Sequence, residues 1–396
     1  MRPIKTLTFS TLYPNAIQPN HGIFVENRLR HLVSAGSVQS VVVAPVPYFP
    51  SRAPLFGRWG QLSQVPRHET RYGLTIQHPR YPVIPKVGTS VAPILLALWS
   101  LASIRHIERS GFDFDLIDAH YVYPDGVAAV WLGQLLSKPV VVTARGTDIN
   151  LIPRLKIPRK LIKHALRRAS AIIAVSEALK QAITDLDFRH EDVTVLRNGV
   201  DLGKFFPRDR AKVRRELQLN GPTLISVGHL IERKGHDLVI RALRELPNYV
   251  LLIVGEGPER AGLQSLVGSL DLSSRVRFLG GIAHDQMARY YSAADALVLA
   301  SSREGWPNVL LESMACGTPV VASNVWGNPE IVKSSDSGLL MNERTSEAAA
   351  QTIRSLFDNL PQRAATRRYA EQFSWDETSR GQFDIFTRIL RRSASL

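Results

Sequence analysis

Short runs of β-branched and aliphatic residues alternate with stretches of helical period along almost the whole chain. In the first half, 7–10, 38–46, 74–78, 115–120, 140–143, 171–176 and 193–197 read as strands. Helical patterns such as 24–34 and 126–136 lie between most of them. The runs are apolar almost without interruption, which marks sheets covered on both faces, and strand–helix alternation makes such sheets parallel. The pattern then restarts, with 223–227, 250–254, 276–279, 296–300 and 319–322 reading as a second sheet. Between the two sets, 198–215 carries Gly199, Gly203 and Pro207, and a boundary there gives domains 1–200 and 201–375. Segment 45–66, rich in proline and aromatics, reads as a loop insertion in the first domain. The longest apolar stretch, 91–104, is fourteen residues with Pro93 inside it. A bilayer span takes about 20, so this stretch reads as a buried helix, with a helix dipping into a membrane surface as the alternative.

Two Rossmann-like α/β domains facing across a cleft would line it with strand ends and helix N-termini. Ligands of open α/β sheets bind at such edges, and helix N-termini favour phosphate. The architecture therefore predicts a phosphorylated ligand and leaves the reaction open.

Composition narrows the class. A chain of 396 residues exceeds one ordinary core, and 44% hydrophobic with 21% charged residues is a globular profile. The single cysteine, Cys316, excludes an internal disulfide and a cysteine metal cluster and suits a reducing compartment. The start has no long apolar run and no cleavage signature, so a cytoplasmic location without a signal peptide is expected. Residues 1–200 hold 24 basic and 13 acidic side chains, a net +11, whereas 201–396 hold 25 and 22, a net +3. The first half should therefore meet something anionic: a membrane surface, an acidic acceptor or nucleic acid. Within it, the stretch bounded by Arg154 and Arg168 has seven lysines and arginines and no acid. Its apolar side makes it a basic amphipathic helix over 158–168, suited to anionic lipid or to a plain solvated face.

The candidate chemistry is densest in the second half. In Glu304-Gly305-Trp306-Pro307-Asn308-Val309-Leu310-Leu311-Glu312 a loop after a strand turns into a helix near Asn308. The first helical amides, at Asn308 and Val309, lack internal partners and can meet hydroxyls or phosphate. A carboxylate such as Glu312 can accept two bonds from adjacent ribose hydroxyls. Upstream, Gly228 ends a strand, and Arg233 and Lys234 precede a helix opening near His236. A glycine that admits close approach, with two cations at a helix start, suits a pyrophosphate. In the first half, Gly22 opens a helix, His120 ends a strand, and Arg145 with Asp148 follows another strand.

Glu304 and Glu312, with the helix and the Gly317-Thr318-Pro319-Val320-Val321 strand after them, resemble the signature of retaining glycosyltransferase family 4, whose fold is GT-B. The resemblance runs over nearly the whole chain. It implies that Glu304 lies near donor-sugar hydroxyls, that Glu312 binds the ribose, and that Leu279 to Ile282 packs on the base through backbone atoms. It implies that His120 contacts the transferring sugar, and that a terminal helix over 376–396 crosses back to the first domain. Four positions depart from the family pattern, one of them Asp118, which stands where relatives often have the first of two histidines with one residue between. His229 stands where an arginine is usual, His21 where one of two glycines is common, and Arg145 where a histidine is common. Arg233 can supply the charge that His229 lacks, and Arg145 adds a fixed charge suited to an anionic acceptor or to phosphate.

The set expected to act in catalysis is His120, Glu304 and Lys234. The set expected to hold the donor is Gly22, Arg145, Gly228, His229, Arg233, Lys234, Leu279, Ile282, Asn308, Val309 and Glu312. No metal is expected: Asp113-Phe114-Asp115 has the spacing of a metal-holding motif but leads into an early strand. Cationic side chains and helix dipoles would then stabilise the leaving diphosphate. The resulting expectation is a retaining, metal-independent transfer of a hexose from a UDP- or GDP-sugar to a lipid-linked or polysaccharide acceptor in bacterial surface glycan synthesis, with front-face attack. Two other classes fit part of the pattern. A UDP-sugar 2-epimerase of the same fold would need no acceptor. A basic nucleic-acid-binding protein fits the charge but would bring a reader motif, which the sequence lacks.

Overall fold

The structure, a computed structural model, describes residues 2–83 and 88–394. The chain divides into two units, Met1–Arg197 with Asp376–Leu396, and Asn198–Trp375. The last two residues of the expected terminal helix lie outside the described residues.

The first unit is built on an eight-stranded sheet, in the order Val193–Val195, Ala171–Ala174, Val140–Ala144, Leu116–His120, Ile4–Phe9, Val38–Val43, Leu74–Gln77, His68–Arg71. All pairs are parallel except the edge pair of His68–Arg71 with Leu74–Gln77, a hairpin that sequence reading did not anticipate. The reason is local: Tyr72 and Gly73 both take positive φ, the turn that reverses the chain between short strands. The expected run 38–46 is interrupted, and Val46–Pro47 instead pairs with Arg80–Tyr81 in a separate two-stranded ribbon. The core below helix Ile23–Ser34 takes Val25, Leu29 and Leu32 from that helix, Val42, Ile76, Leu116 and Val141 from the sheet, and Ile385, Phe386 and Ile389 from the last helix, Trp375–Ala394. Each such side chain contributes about 2 kcal/mol by leaving water.

The apolar stretch expected to be a buried helix is larger and less buried than that. Helix Gly88–Arg109 has 22 residues, long and apolar enough to cross a membrane by length and composition, and only 28% of its most apolar window is buried. Pro93, Leu96, Ser100, Ile104 and Ile107 form its inner face. The basic helix also starts earlier than its apolar pattern suggested, at Lys156.

The second unit has a six-stranded, wholly parallel sheet, ordered Val276–Gly280, Val250–Val254, Thr223–Val227, Ala296–Leu299, Val320–Ser323, Gly338–Met341. The last strand has no counterpart in the sequence reading, because its glycine start hides it. Gly338 has φ +132°, and a Cβ there would stand 1.9 Å from the Val320 carbonyl oxygen. Only glycine lets this strand close on its neighbour. The central strand Thr223–Val227 lies between Val250–Val254 and Ala296–Leu299, so the loops leaving these three strands share one edge.

Candidate active site

At that edge of the second unit, Gly228 leaves the central strand with φ +152°, and its α-carbon lies against the Lys234 stem: a Cβ would stand 3.3 Å from Lys234 Cε. The glycine thus lets the lysine fold back over the loop. Arg233 and Lys234 occupy the short turn Glu232–Lys234, and Gly235 in a left-handed conformation opens helix His236–Ala242. Lys234 Nζ donates to Glu304 Oε1 at 2.6 Å, and Arg233 Nη1 lies 3.8 Å from Glu304 Oε2 while donating to the Arg303 carbonyl at 2.8 Å. Glu304 is 7% exposed. Burial pushes its pKa up, but the Lys234 and Arg233 charges outweigh that and hold it below the ordinary range. It is an ionised, fixed acceptor. An ammonium has three N–H bonds, so Lys234 can hold Glu304 and still donate to a diphosphate. His229, by contrast, is exposed.

The turn after Glu304 is held by Trp306, whose Nε1 donates to the Asn198 carbonyl at 3.0 Å. Pro307 precedes helix Asn308–Ala315, and Asn198 Nδ2 donates to Asn308 Oδ1 at 3.3 Å. The chain entering the unit is thereby tied to the helix start. The half-buried Asn308 and Val309 supply its first amides. One turn in, Glu312 is 8% exposed, with one partner on each carboxylate oxygen. Tyr291 donates its hydroxyl to Oε2 at 2.9 Å, and His284 Nε2 meets Oε1 at 3.0 Å. His284 Nδ1 lies 2.7 Å from Lys204 Nζ, and its ring packs edge-on against Phe205. A lysine ammonium only donates, so Nδ1 accepts and Nε2 carries the hydrogen directed at Glu312. Burial and the Glu312 charge push the Tyr291 hydroxyl well above its usual pKa, keeping it a donor. Lys204, His284 and Tyr291 were not found from sequence: nothing in a bare spacing links 204, 284, 291 and 312. Leu279 lies on strand Val276–Gly280 and Ile282 just past it, both half-buried. The Gly280 carbonyl accepts from Gly255 N at 2.8 Å, which keeps this loop against the one after Val250–Val254.

The first unit has its own cluster. His120 is 1% exposed, so the side chain expected to touch the sugar is enclosed in a polar network. Its Nε2 lies 3.2 Å from Asp118 Oδ2, and Arg145 Nη2 lies 2.6 Å from Nδ1. Gln382 of the last helix donates to the same Asp118 oxygen at 2.8 Å and accepts from Arg28 Nε at 2.7 Å. Burial pushes the His120 pKa down to about 4, against the pull of Asp118. Arg145 is 8% exposed, and burial lowers its pKa well below the usual value. Its guanidinium carbon stands 5.5 Å from the Phe24 ring centroid, beside the start of helix Ile23–Ser34. Arg145 and Gly22 are therefore brought to one place. Gly22 has φ +66°, and a Cβ there would stand 2.2 Å from the Leu12 carbonyl, so close packing of the loop alone demands glycine. Asp148 is a cap: it accepts from the Val122 and Gly146 amides, each at 2.7 Å. Glu26 is fully buried and paired with Arg71 at 2.6 Å. Asp113 and Asp115 pair separately with Lys138 and Arg2, so they share no site.

Among the described residues, no group of three or more His, Cys, Asp or Glu side chains has the arrangement of a metal site.

Two parallel-sheet α/β units, one with a buried glutamate–lysine pair beside a helix start, agree with the GT-B glycosyltransferase class that the sequence resemblance implies. The profile "Glycosyl transferases group 1" matches 207–373 and "Glycosyltransferase Family 4" matches 23–204. The chain belongs to glycosyltransferase family 4. It is 28% identical over 359 residues, 88% of each chain, to the putative teichuronic acid biosynthesis glycosyltransferase TuaC of Bacillus subtilis. It is 29% identical over 292 residues, 70% of this chain and 76% of the other, to N-acetyl-alpha-D-glucosaminyl L-malate synthase of Bacillus anthracis. Among solved structures, sucrose-phosphate synthase of Thermosynechococcus elongatus superposes with a TM-score of 0.79 at 21% identity, covering 99% of this chain and 100% of that one. WaaG, a glycosyltransferase involved in lipopolysaccharide biosynthesis, gives a TM-score of 0.69 at 17% identity, covering 97% and 100%. The epimerase and nucleic-acid readings find no counterpart in these relatives, which are named as glycosyltransferases or synthases.

Proposed function

We propose that the enzyme transfers a hexose from a UDP- or GDP-sugar to a lipid-linked or saccharide acceptor in bacterial surface glycan synthesis, with retention at the anomeric carbon. The observation that carries it is the Lys234–Glu304 pair standing at one sheet edge with the Asn308 helix start and the fixed Glu312. In this reading Glu312 takes the ribose hydroxyls, whose bonds it can accept beside those of His284 and Tyr291 because each carboxylate oxygen has two lone pairs. Lys234, Arg233 and the amides of Asn308 and Val309 take the diphosphate, and Glu304 orients the sugar. Leu279 and Ile282 flank the base. Negative charge grows on the departing diphosphate, and these fixed cations and amides stabilise it without a metal. The reading has no protein nucleophile: a donor phosphate oxygen accepts the acceptor proton as the new bond forms on the same face.

In the first unit, Arg145 beside the Gly22 helix start suits an anion, either the donor phosphate or an acidic acceptor. His120, neutral above pH about 4, is able to hydrogen-bond sugar hydroxyls only after an exchange of its Asp118 or Arg145 partner. The relatives named for teichuronic acid and for a malate glycoside favour an acidic acceptor. Helix Lys156–Arg168 would rest on an anionic membrane at the cytoplasmic face, where a lipid-linked acceptor is presented.

The test is thermal unfolding of the purified chain with UDP, GDP, ADP and their sugars, with and without EDTA. Stabilisation by one nucleotide class that survives chelation supports the reading. Stabilisation that EDTA abolishes overturns metal independence, and no stabilisation by any nucleotide overturns the donor site.

A further inference from the structure

Exposed large apolar side chains are unevenly distributed. Among the described residues thirteen are exposed, and all but Leu360 belong to the first unit. They concentrate on two neighbouring elements that the proposed chemistry does not use.

The first is the insertion after Val46–Pro47. It folds as a turn Pro54–Phe56 and a helix Gly57–Leu62. Leu62 and Val65 point inward with Val46 and pack on Ile17, and Arg80 anchors the segment by donating to the Leu62 carbonyl at 2.7 Å and to that of Val65. The segment also presents Leu55, Phe56 and Trp59 to solvent, with Phe49 edge-on to the Phe56 ring at 5.1 Å and stacked on the Trp59 ring at 6.0 Å. An anchored loop that exposes a built aromatic cluster is not a collapsed surface turn. Burial lowers the pKa of Arg80, and the charges of the exposed Arg67 and Arg52 nearby lower it further.

The second element is helix Gly88–Arg109, which packs against strand Arg80–Tyr81, the partner of the insertion's own strand. Of its exposed positions, 94, 98, 102, 105 and 109 fall at helical spacing on one face. That face is apolar at one end, with Ile94 and Leu98 beside Trp99, and cationic at the other, with Arg105 and Arg109. Its far side touches helix Lys156–Arg168, where Leu155 and Ile157 are exposed among the basic residues.

We propose that these two elements insert into an anionic phospholipid bilayer, Leu55, Phe56 and Trp59 from the insertion and Ile94, Leu98 and Trp99 from the helix. The enzyme then holds the membrane by burial of apolar surface as well as by charge. Tryptophan, phenylalanine and leucine flanked by arginine are the composition of an interfacial anchor. The net +11 of residues 1–200 complements an anionic leaflet and opposes the pairing of two such faces from two copies. The inner face of helix Gly88–Arg109 stays on the protein core, so the helix lies along the surface and does not cross it. This extends the membrane part of the proposed function and is independent of the donor assignment.

The experiment uses the full chain and vesicles of phosphatidylcholine with or without phosphatidylglycerol. It reads co-sedimentation at low and high salt, and tryptophan quenching by brominated phosphatidylcholine. Two apolar variants, Leu55→Ser/Phe56→Ser/Trp59→Ser and Ile94→Ser/Leu98→Ser/Trp99→Ser, are compared with a charge variant, Arg159→Gln/Lys160→Gln/Lys163→Gln. Each apolar variant should weaken high-salt binding by roughly tenfold or more, the effect of withdrawing one leucine-sized side chain from lipid, and should lose quenching. The charge variant should lose the salt-sensitive part and keep the quenching. Nucleotide stabilisation, read in parallel, reports that each variant is folded. Vesicle binding with no quenching, abolished by salt, overturns insertion. So does a dimer that the apolar variants dissociate while wild type ignores vesicles. Absence of vesicle binding with nucleotide stabilisation retained overturns the docking and leaves the donor site standing. Docking without nucleotide stabilisation does the reverse.

Discussion

Glu312 is tuned by neighbours that the reaction itself does not require. Lys204 orients His284, and His284 and Tyr291 fix the rotamer of the carboxylate proposed to take the ribose. Preorganisation of this kind lowers the entropy lost on binding. His284→Ala should therefore weaken nucleotide affinity roughly tenfold with little change in unfolding temperature, and His284→Gln should recover part of it. Calorimetric titration with the nucleotide checks this; in the double variant with Glu312→Ala the two losses should not add, because one acts through the other. Glu304→Gln removes the charge that faces Lys234 and is expected to lower turnover by roughly a hundredfold while nucleotide affinity changes far less, measured as kcat beside Kd. Burial holds His120 and His236 neutral, each with a pKa of about 4 against an ordinary 6.5. Protons therefore bind the unfolded chain more readily, and stability present above pH 6.5 is lost as pH falls toward 4. For His120 alone the loss is on the order of 3 kcal/mol. Urea unfolding across that range should fall more steeply for wild type than for His120→Gln.

The elements divide into those with a local signal and those without. Strands such as Val140–Ala144 and Val250–Val254 were legible because a short, almost unbroken apolar run marks a strand covered on both faces. The Glu304 to Glu312 loop–helix was legible for its residue order, and Gly228 with Lys234 for the same reason. The edge hairpin was not, because His68–Arg71 is polar throughout and owes its strand character to its partner. Helix Gly88–Arg109 was under-read because serine, histidine and arginine break the apolar run without breaking the helix. The Gln382 contact was illegible for a different reason: its partner Asp118 lies 264 positions away. Gly22 illustrates how a residue can look like a phosphate signature and be demanded by packing. Gly22→Ala should destabilise the first unit by about 3 kcal/mol, from a left-handed backbone plus a clash with Leu12. Gly36→Ala, with φ +74° and open space around it, should cost about 1 kcal/mol. Denaturant unfolding of the pair separates the two causes.

At the scale of the whole molecule, one unit is continuous in sequence and the other is not. The second runs uninterrupted from Asn198 to Trp375, whereas the first needs Asp376 onward to be finished. A chain ending at Trp375 would lack Ile385, Phe386 and Ile389 from the first core and would leave Arg28 and Asp118 buried without Gln382. Buried charges without their partners are costly. Such a chain should expose its first half to limited proteolysis while the second resists, a pattern that mass mapping of the fragments would read. The order of synthesis inverts the order of completion. The half that leaves the ribosome first stays an open sheet, its slot for Phe386 unfilled, while the second half is made and folds. Each newly made molecule therefore depends on helix Trp375–Ala394 to complete the core of the half made earliest.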